Sequence, residues 1–134
     1  GHIALCHGSH VLLYTLNGHL LVEQKVSEAP DDQILCCAFY NGAANEWVER
    51  ELLFTGHSHG VVNVWALTTL SDGAWHLQLV NRLNHVDMMR EDGGNISAGI
   101  TALLPMANSV YTGDEDGKVW EWGVMQRQTS VSMR

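Results

Sequence analysis

Thr55-Gly56-His57-Ser58-His59-Gly60-Val61-Val62-Asn63-Val64-Trp65 decides the fold, because the stretch returns as Thr112-Gly113-Asp114-Glu115-Asp116-Gly117-Lys118-Val119-Trp120-Glu121-Trp122. Five aligned positions are identical (Thr, Gly, Gly, Val and Trp), and the residues between them alternate apolar and polar, the period of a half-buried strand. Each copy reads as a β-hairpin with a glycine in its turn. A repeat settles architecture before any single motif does.

The first copy also contains Gly56-His57-Ser58-His59-Gly60, a literal G-x-S-x-G. As a nucleophile elbow it would make Ser58, with His57 or His59, the centre of a serine hydrolase. An elbow needs a strand, a sharp turn and then a helix. Val61, Val62, Val64 and Trp65 follow instead, which is β-branched and aromatic sequence. The second copy keeps the glycines and tryptophan but carries Glu115 in place of Ser58, so a hairpin turn explains both copies and an elbow only one.

Outward from the hairpins, Ile3 to Cys6 and Val11 to Thr15 form a third, degenerate copy with Tyr14 in the tryptophan position. Asn17-Gly18 turns the chain into Leu20 to Val26, and Ser27 to Asp32 is an acidic loop with solvated or hydrogen-bonded turns. Gln33 to Phe39 is apolar on both alternating sets, which predicts an inner strand buried on both faces. Trp75 to Leu83 alternates as an outer strand, Ala98 to Leu104 resumes the apolar run, and Val124 to Val131 supplies a last strand. The total is about eleven short strands with no sustained helical period. The chain is therefore all-β, and the recurring four-stranded unit predicts a partial β-propeller: an incomplete blade over 3–26 and blades over 33–84 and 97–132.

Composition narrows the function. The 134 residues are 46% hydrophobic, enough for a folded core, and carry a formal net charge of −8 with only seven Lys and Arg. Such a field repels nucleic acid, so no nucleic-acid partner is expected. No apolar stretch approaches the roughly 18 residues that span a bilayer, so no direct membrane insertion is expected. Three cysteines without a C-x-x-C favour a reducing, cytoplasmic setting, and Cys36-Cys37 reads as a pair of small apolar residues in a strand. His7 with His10, and His57 with His59, have spacings a metal could use, but polar turn chemistry accounts for the second pair. No metal and no cofactor are expected.

The hairpins resemble the WD-repeat family, whose units are propeller blades held by a buried histidine, hydroxyl, aspartate and tryptophan. The resemblance places that network on His85, Thr112, Asp116 and Trp122 in the last unit, and on Thr55 and Trp65 in the one before. Ala66 and Gly123 follow the tryptophans where the family has aspartate, and His59 stands where the second unit's aspartate belongs. A narrower resemblance rests on Leu16-Asn17-Gly18, Ile34 to Tyr40, Asn45-Glu46-Trp47, the Thr55 hairpin, Arg82 to Asp87 and Val110 to Asp114. Together these are similar to the C-terminal WD-repeat region of a BEACH-domain (beige-like) protein, most like fungal members. That resemblance implies a non-enzymatic, protein-binding scaffold module of a very large cytoplasmic protein. It further implies vesicle trafficking, lysosome-related or autophagic pathways, with the parent peripheral to endomembranes.

Two segments are candidates for partner contact. The long loop from His85 to Ser97 joins Met88 and Met89 to Asp87, Arg90 and Glu91, adaptable apolar surface beside charge. It reads either as a binding loop or as a cover for a neighbouring blade. Trp47, in the Asn41–Arg50 connection, reads as a partner anchor or as a side chain packed on its own domain. Eleven strands do not close a propeller, so the expected neighbours are further blades of the same polypeptide or copies of this chain.

Overall fold

The computed structural model describes residues 1–40, 51–84, 98–106, 109–124 and 131–133. They form eleven strands: β1 (His2–His7), β2 (His10–Thr15), β3 (Leu20–Lys25), β4 (Ile34–Phe39), β5 (Leu52–His57), β6 (Val61–Thr69), β7 (Trp75–Asn84), β8 (Ile100–Pro105), β9 (Ser109–Asp114), β10 (Val119–Val124) and β11 (Val131–Met133). All pairings are antiparallel between consecutive strands. They make three sheets, β1-β2-β3, β4-β5-β6-β7 and β8-β9-β10-β11. The chain is all-β, a partial propeller of WD-repeat type.

Hairpin register follows the repeat. Leu53 lies opposite Trp65 and Val110 opposite Trp122, and in the degenerate copy Ile3 lies opposite Tyr14. Gly60 and Gly117 close the two turns at φ of 82° and 79°, where a side chain would clash with its own backbone. The last strand differs from the expected 124–131: Val124 ends β10 and pairs with Val131, which opens β11.

The second sheet is the centre of the structure. Leu53, Trp65 and Leu77 pack with Val11, Leu13, Val22 and Val26 of the first sheet and its exit. Phe54, Val62, Val64 and Leu83 pack with Ile100, Val110 and Trp122 of the third. Successive β5 residues therefore serve opposite faces, as strand geometry requires, and every residue of β5 is buried. Burial of a side chain such as Phe54 contributes about 2–3 kcal/mol. The strand covered on both faces is β5, not the Gln33–Phe39 segment that its apolarity suggested. β4 lies at the sheet edge and is largely half-buried, with Leu35 exposed.

Gly56 leaves no room for a side chain between its own sheet and the third. A Cβ there would stand 2.6 Å from Cys36 Sγ and 2.8 Å from Ile100 Cγ2, whereas at the equivalent Gly113 the nearest atom, Ala102 Cβ, is 3.6 Å away. Gly56→Ala is expected to destabilise the fold by about 1–3 kcal/mol, as overpacking does. Gly113→Ala is expected to cost less than half as much. Urea unfolding midpoints of the two variants test this; equal losses would contradict the close packing at Gly56.

Candidate functional site

The two-residue strand period puts Thr55 and His57 on the same face of β5, and the cross-strand neighbours Asn63 and Trp65 bring their side chains to that face. All four are buried, as is Asp32 from the loop before β4. Trp65 Nε1 donates to Thr55 Oγ1 at 2.9 Å, and Thr55 Oγ1 lies 2.8 Å from His57 Nε2. Because the Asp32 carboxylate beside Nδ1 can only accept, the imidazole proton sits on Nδ1 and the threonine hydroxyl donates to the bare Nε2. His57 Nδ1–H then donates to Asp32 Oδ2 at 2.9 Å.

The surrounding bonds assign the same tautomer. Arg82 Nε donates to Asn63 Oδ1 at 3.2 Å, which turns Asn63 Nδ2 toward His57 Nε2 at 3.4 Å, again a donor facing an acceptor. Asp32 Oδ2 also accepts Ser27 Oγ–H at 2.6 Å, while Oδ1 accepts from Ser58 Oγ at 3.1 Å and His59 N–H at 3.3 Å. Burial pushes the His57 pKa down and outweighs the upward pull of Asp32, so the imidazole is neutral. Burial pushes the Asp32 carboxyl up, but the Ser27 hydrogen bond, His57 and Ser58 overcome it, and its pKa ends below the usual carboxylate range.

This arrangement corrects the sequence-level placement of the network. In the second sheet the histidine is His57 in the hairpin and the carboxylate is Asp32 in the preceding loop; His59 is half-exposed and pairs with exposed Asp31 at 3.2 Å. In the third sheet Trp122 Nε1 donates to Thr112 Oγ1 at 3.2 Å. The buried carboxylate there is Asp114, which follows Val110 and Thr112 on the inward face of β9. Asp114 Oδ1 accepts the backbone N–H groups of Asp116 and Lys118 at 2.9 and 3.0 Å. Asp116 itself lies past the strand in the turn and is exposed. His85, Trp47, Asp87, Met88, Met89, Arg90 and Glu91 lie outside the described residues. In the first sheet Leu5 occupies the threonine position, so Tyr14 has no hydroxyl facing it across the hairpin.

Sequence reasoning missed His57 as a network member because it sits where the other copy has an aspartate, and Asp32 because it lies in an acidic loop. The i, i+2 spacing of Thr55 and His57 was the available signal.

The elbow reading does not survive this geometry. Gly56 to Gly60 spans the β5–β6 hairpin, with no helix after it. Ser58 Oγ is spent, accepting from Gln33 N–H at 2.9 Å and donating to Asp32. A groove of about 480 Å³ opens beside the network between the first and second sheets, but its walls include neither Ser58, His57 nor Thr55. Asp32, His57 and Thr55 are arranged in the order of a charge-relay triad, yet Thr55 is fully buried and its hydroxyl is held by Trp65 and His57. Among the described residues no three His, Cys, Asp or Glu side chains gather as a metal ion requires.

The fold and the Trp–Thr hairpins define a WD-repeat protein. The WD40 domain of SCAP from fission yeast has the same architecture, with a TM-score of 0.64 and 14% identity, covering 98% of this chain and 28% of that one. In sequence the chain is homologous to part of Beige protein homolog 1 of Schizosaccharomyces pombe, 27% identical over 98% of this chain and 6% of the relative. It is likewise homologous to part of human WD repeat- and FYVE domain-containing protein 4, 34% identical over 91% of this chain and 4% of that protein. The beige-like resemblance, fungal relatives included, is thus borne out. The chain spans less than a tenth of the length of these relatives. No family model matches it.

Acid sensitivity follows from the network. His57 has a folded pKa below the ordinary value of 6.5, so the unfolded chain binds the extra proton first and stability falls as pH drops below about 6.5. Asp32, with a lowered folded pKa, contributes stability above about 3.8 that is lost as pH falls through its folded value. Unfolding midpoints are expected to be flat from pH 8 to 7 and to decline from pH 6.5 to 5, with a second decline below pH 4. A profile level from pH 7 to 5 would contradict a neutral His57.

Proposed function

We infer that the chain is a non-catalytic, protein-binding part of a propeller in a large beige-like scaffold. The observation that carries this reading is the unfinished stack. The first sheet has three strands where the others have four, and by register its β1 corresponds to β5 and β9, each of which pairs with a further strand on its other side. Ile3 and Leu5 of β1 are 44% and 53% exposed, and Leu104 and Val119 of the third sheet are 56% and 75% exposed. Apolar surface of this kind at both ends of a stack calls for further protein.

The proposed blades are 3–26, 33–84 and 97–132, and their neighbours are further blades of the same polypeptide or copies of this chain. By sedimentation equilibrium the isolated chain is expected to self-associate with rising concentration; a monomer that stays monodisperse to high concentration would refute the need for such neighbours.

The buried, fully engaged Asp32–His57–Thr55 relay supports a structural rather than a catalytic network, and the WD40 fold supports protein partners. The beige-like homology supports trafficking, lysosome-related or autophagic work in the cytoplasm, at the periphery of endomembranes. Among the described residues no helix is long and apolar enough to cross a membrane. The proposed contact residues are Asp87, Met88, Met89, Arg90, Glu91 and Trp47. Deletion of 87–92 is expected to remove a subset of the proteins that the intact chain captures from cytosol, at unchanged melting temperature. An unchanged set of captured proteins excludes that segment.

A further inference from the structure

Cys6 and Cys37, distant in sequence, converge in the fold. Cys6 of β1 and Cys37 of β4 both pack against the apolar cluster between the first and second sheets. β1 and β4 are in direct contact, and a 2.7 Å bond from Ile34 N–H to Gly8 carbonyl pins the end of the β1–β2 turn to the start of β4. On that shared cluster the two thiols are near enough for each to shift the other's ionisation. Cys36, next along β4, points to the opposite face, where its Sγ donates to Ile100 carbonyl oxygen at 3.3 Å. All three cysteines are free and half-buried.

We propose that Cys6 and Cys37 form a reversible thiol–disulfide pair that clamps the first sheet to the second when the chain meets a low-molecular-weight disulfide such as glutathione disulfide. Cys37 thiolate attacks one sulfur of the oxidant, forming a mixed disulfide and releasing one glutathione thiolate. Cys6, deprotonated in turn, attacks Cys37 Sγ and releases the second glutathione. Two protein thiols become one disulfide, the oxidant becomes two glutathione molecules, and the two thiol protons end on them.

The division of roles follows from the contact. The neighbouring Cys6 thiol pulls Cys37 below the usual thiol range, against the opposing effect of burial. Cys37 in turn, together with burial, pushes Cys6 well above the usual thiol range. Cys37 is therefore the attacking thiol and Cys6 the resolving one. Burial and the neighbouring Cys37 charge push Cys36 up to about 11, which keeps it protonated and out of the exchange. In a reducing compartment the bond would be transient, the usual behaviour of a cytosolic disulfide.

Incubation of the 134-residue chain with glutathione disulfide, followed by thiol counting and non-reducing peptide mapping, tests the pair. The expected result is loss of two of the three thiols, a linked peptide joining Cys6 to Cys37, and recovery with dithiothreitol. In Cys6→Ser the expected product is a persistent glutathione adduct on Cys37; in Cys37→Ser neither product forms at a comparable rate; Cys36→Ser behaves as wild type. Three free thiols after treatment, a stable glutathione adduct on wild-type Cys37, or a bridge through Cys36 would each overturn the proposal. Circular dichroism of the serine variants before oxidation establishes that the fold is retained.

Discussion

A buried indole N–H must find an acceptor, and here the need of Trp65 sets off a relay that runs from the middle of the second sheet to the loop that leads into it. Thr55 accepts from Trp65 and donates to His57, and His57 donates to Asp32. Trp65 Nε1 has Thr55 Oγ1 as its acceptor, so removal of that hydroxyl strands a buried N–H at about 1–3 kcal/mol. Asp32 lies in the connection between the first and second sheets, so the relay ties that connection to the centre of the second sheet. Gln24 does the same at the rim: its amide accepts from Leu77 N–H and donates to Leu77 carbonyl at 2.9 and 2.8 Å, as a strand neighbour would. The angle between the sheets is thereby set by directional bonds as well as by apolar packing.

The two repeat copies solve the same problem with different chemistry. Position 57 holds an imidazole that reaches outward to a carboxylate; position 114 holds a carboxylate that folds back on two N–H groups of its own turn. The second solution is local and stiffens a hairpin. The first is long-range and joins segments 25 residues apart. A shared Trp–Thr bond lets either be attached at the end of the strand, and this is why identity between the copies is high at the tryptophan, threonine and glycines and low between them.

What was legible in the sequence was whatever depends on near neighbours. Alternation revealed the strands, Gly60 and Gly117 the turns, and the ten-residue separation of Thr55 from Trp65 and of Thr112 from Trp122 the buried pairs. The partner of His57 was not legible, because nothing distinguishes Asp32 from solvated Asp31 except which one the turn from Ala29 to Asp32 directs inward. The same limit hid the meeting of Cys6 with Cys37 and the depth of β5, whose Thr, Gly and His read as polar although all are covered. Burial of β5 comes from sheets that are remote in sequence, and no local pattern records it.

Stability must therefore be graded along the stack. The second sheet has both faces covered and is anchored on one side by the relay and the Gln24 bonds. The first and third sheets each turn one apolar face to the second and leave hydrophobic side chains on the other. Their outer faces gain burial only from protein beyond these strands, at about 25 cal/mol per Å² of apolar surface covered. An edge with unpaired backbone, as at β1, adds directional hydrogen bonding to that gain. Completion of the first sheet thus combines strand pairing with apolar burial. For that reason β1 is the point at which association with further protein would most strengthen the fold.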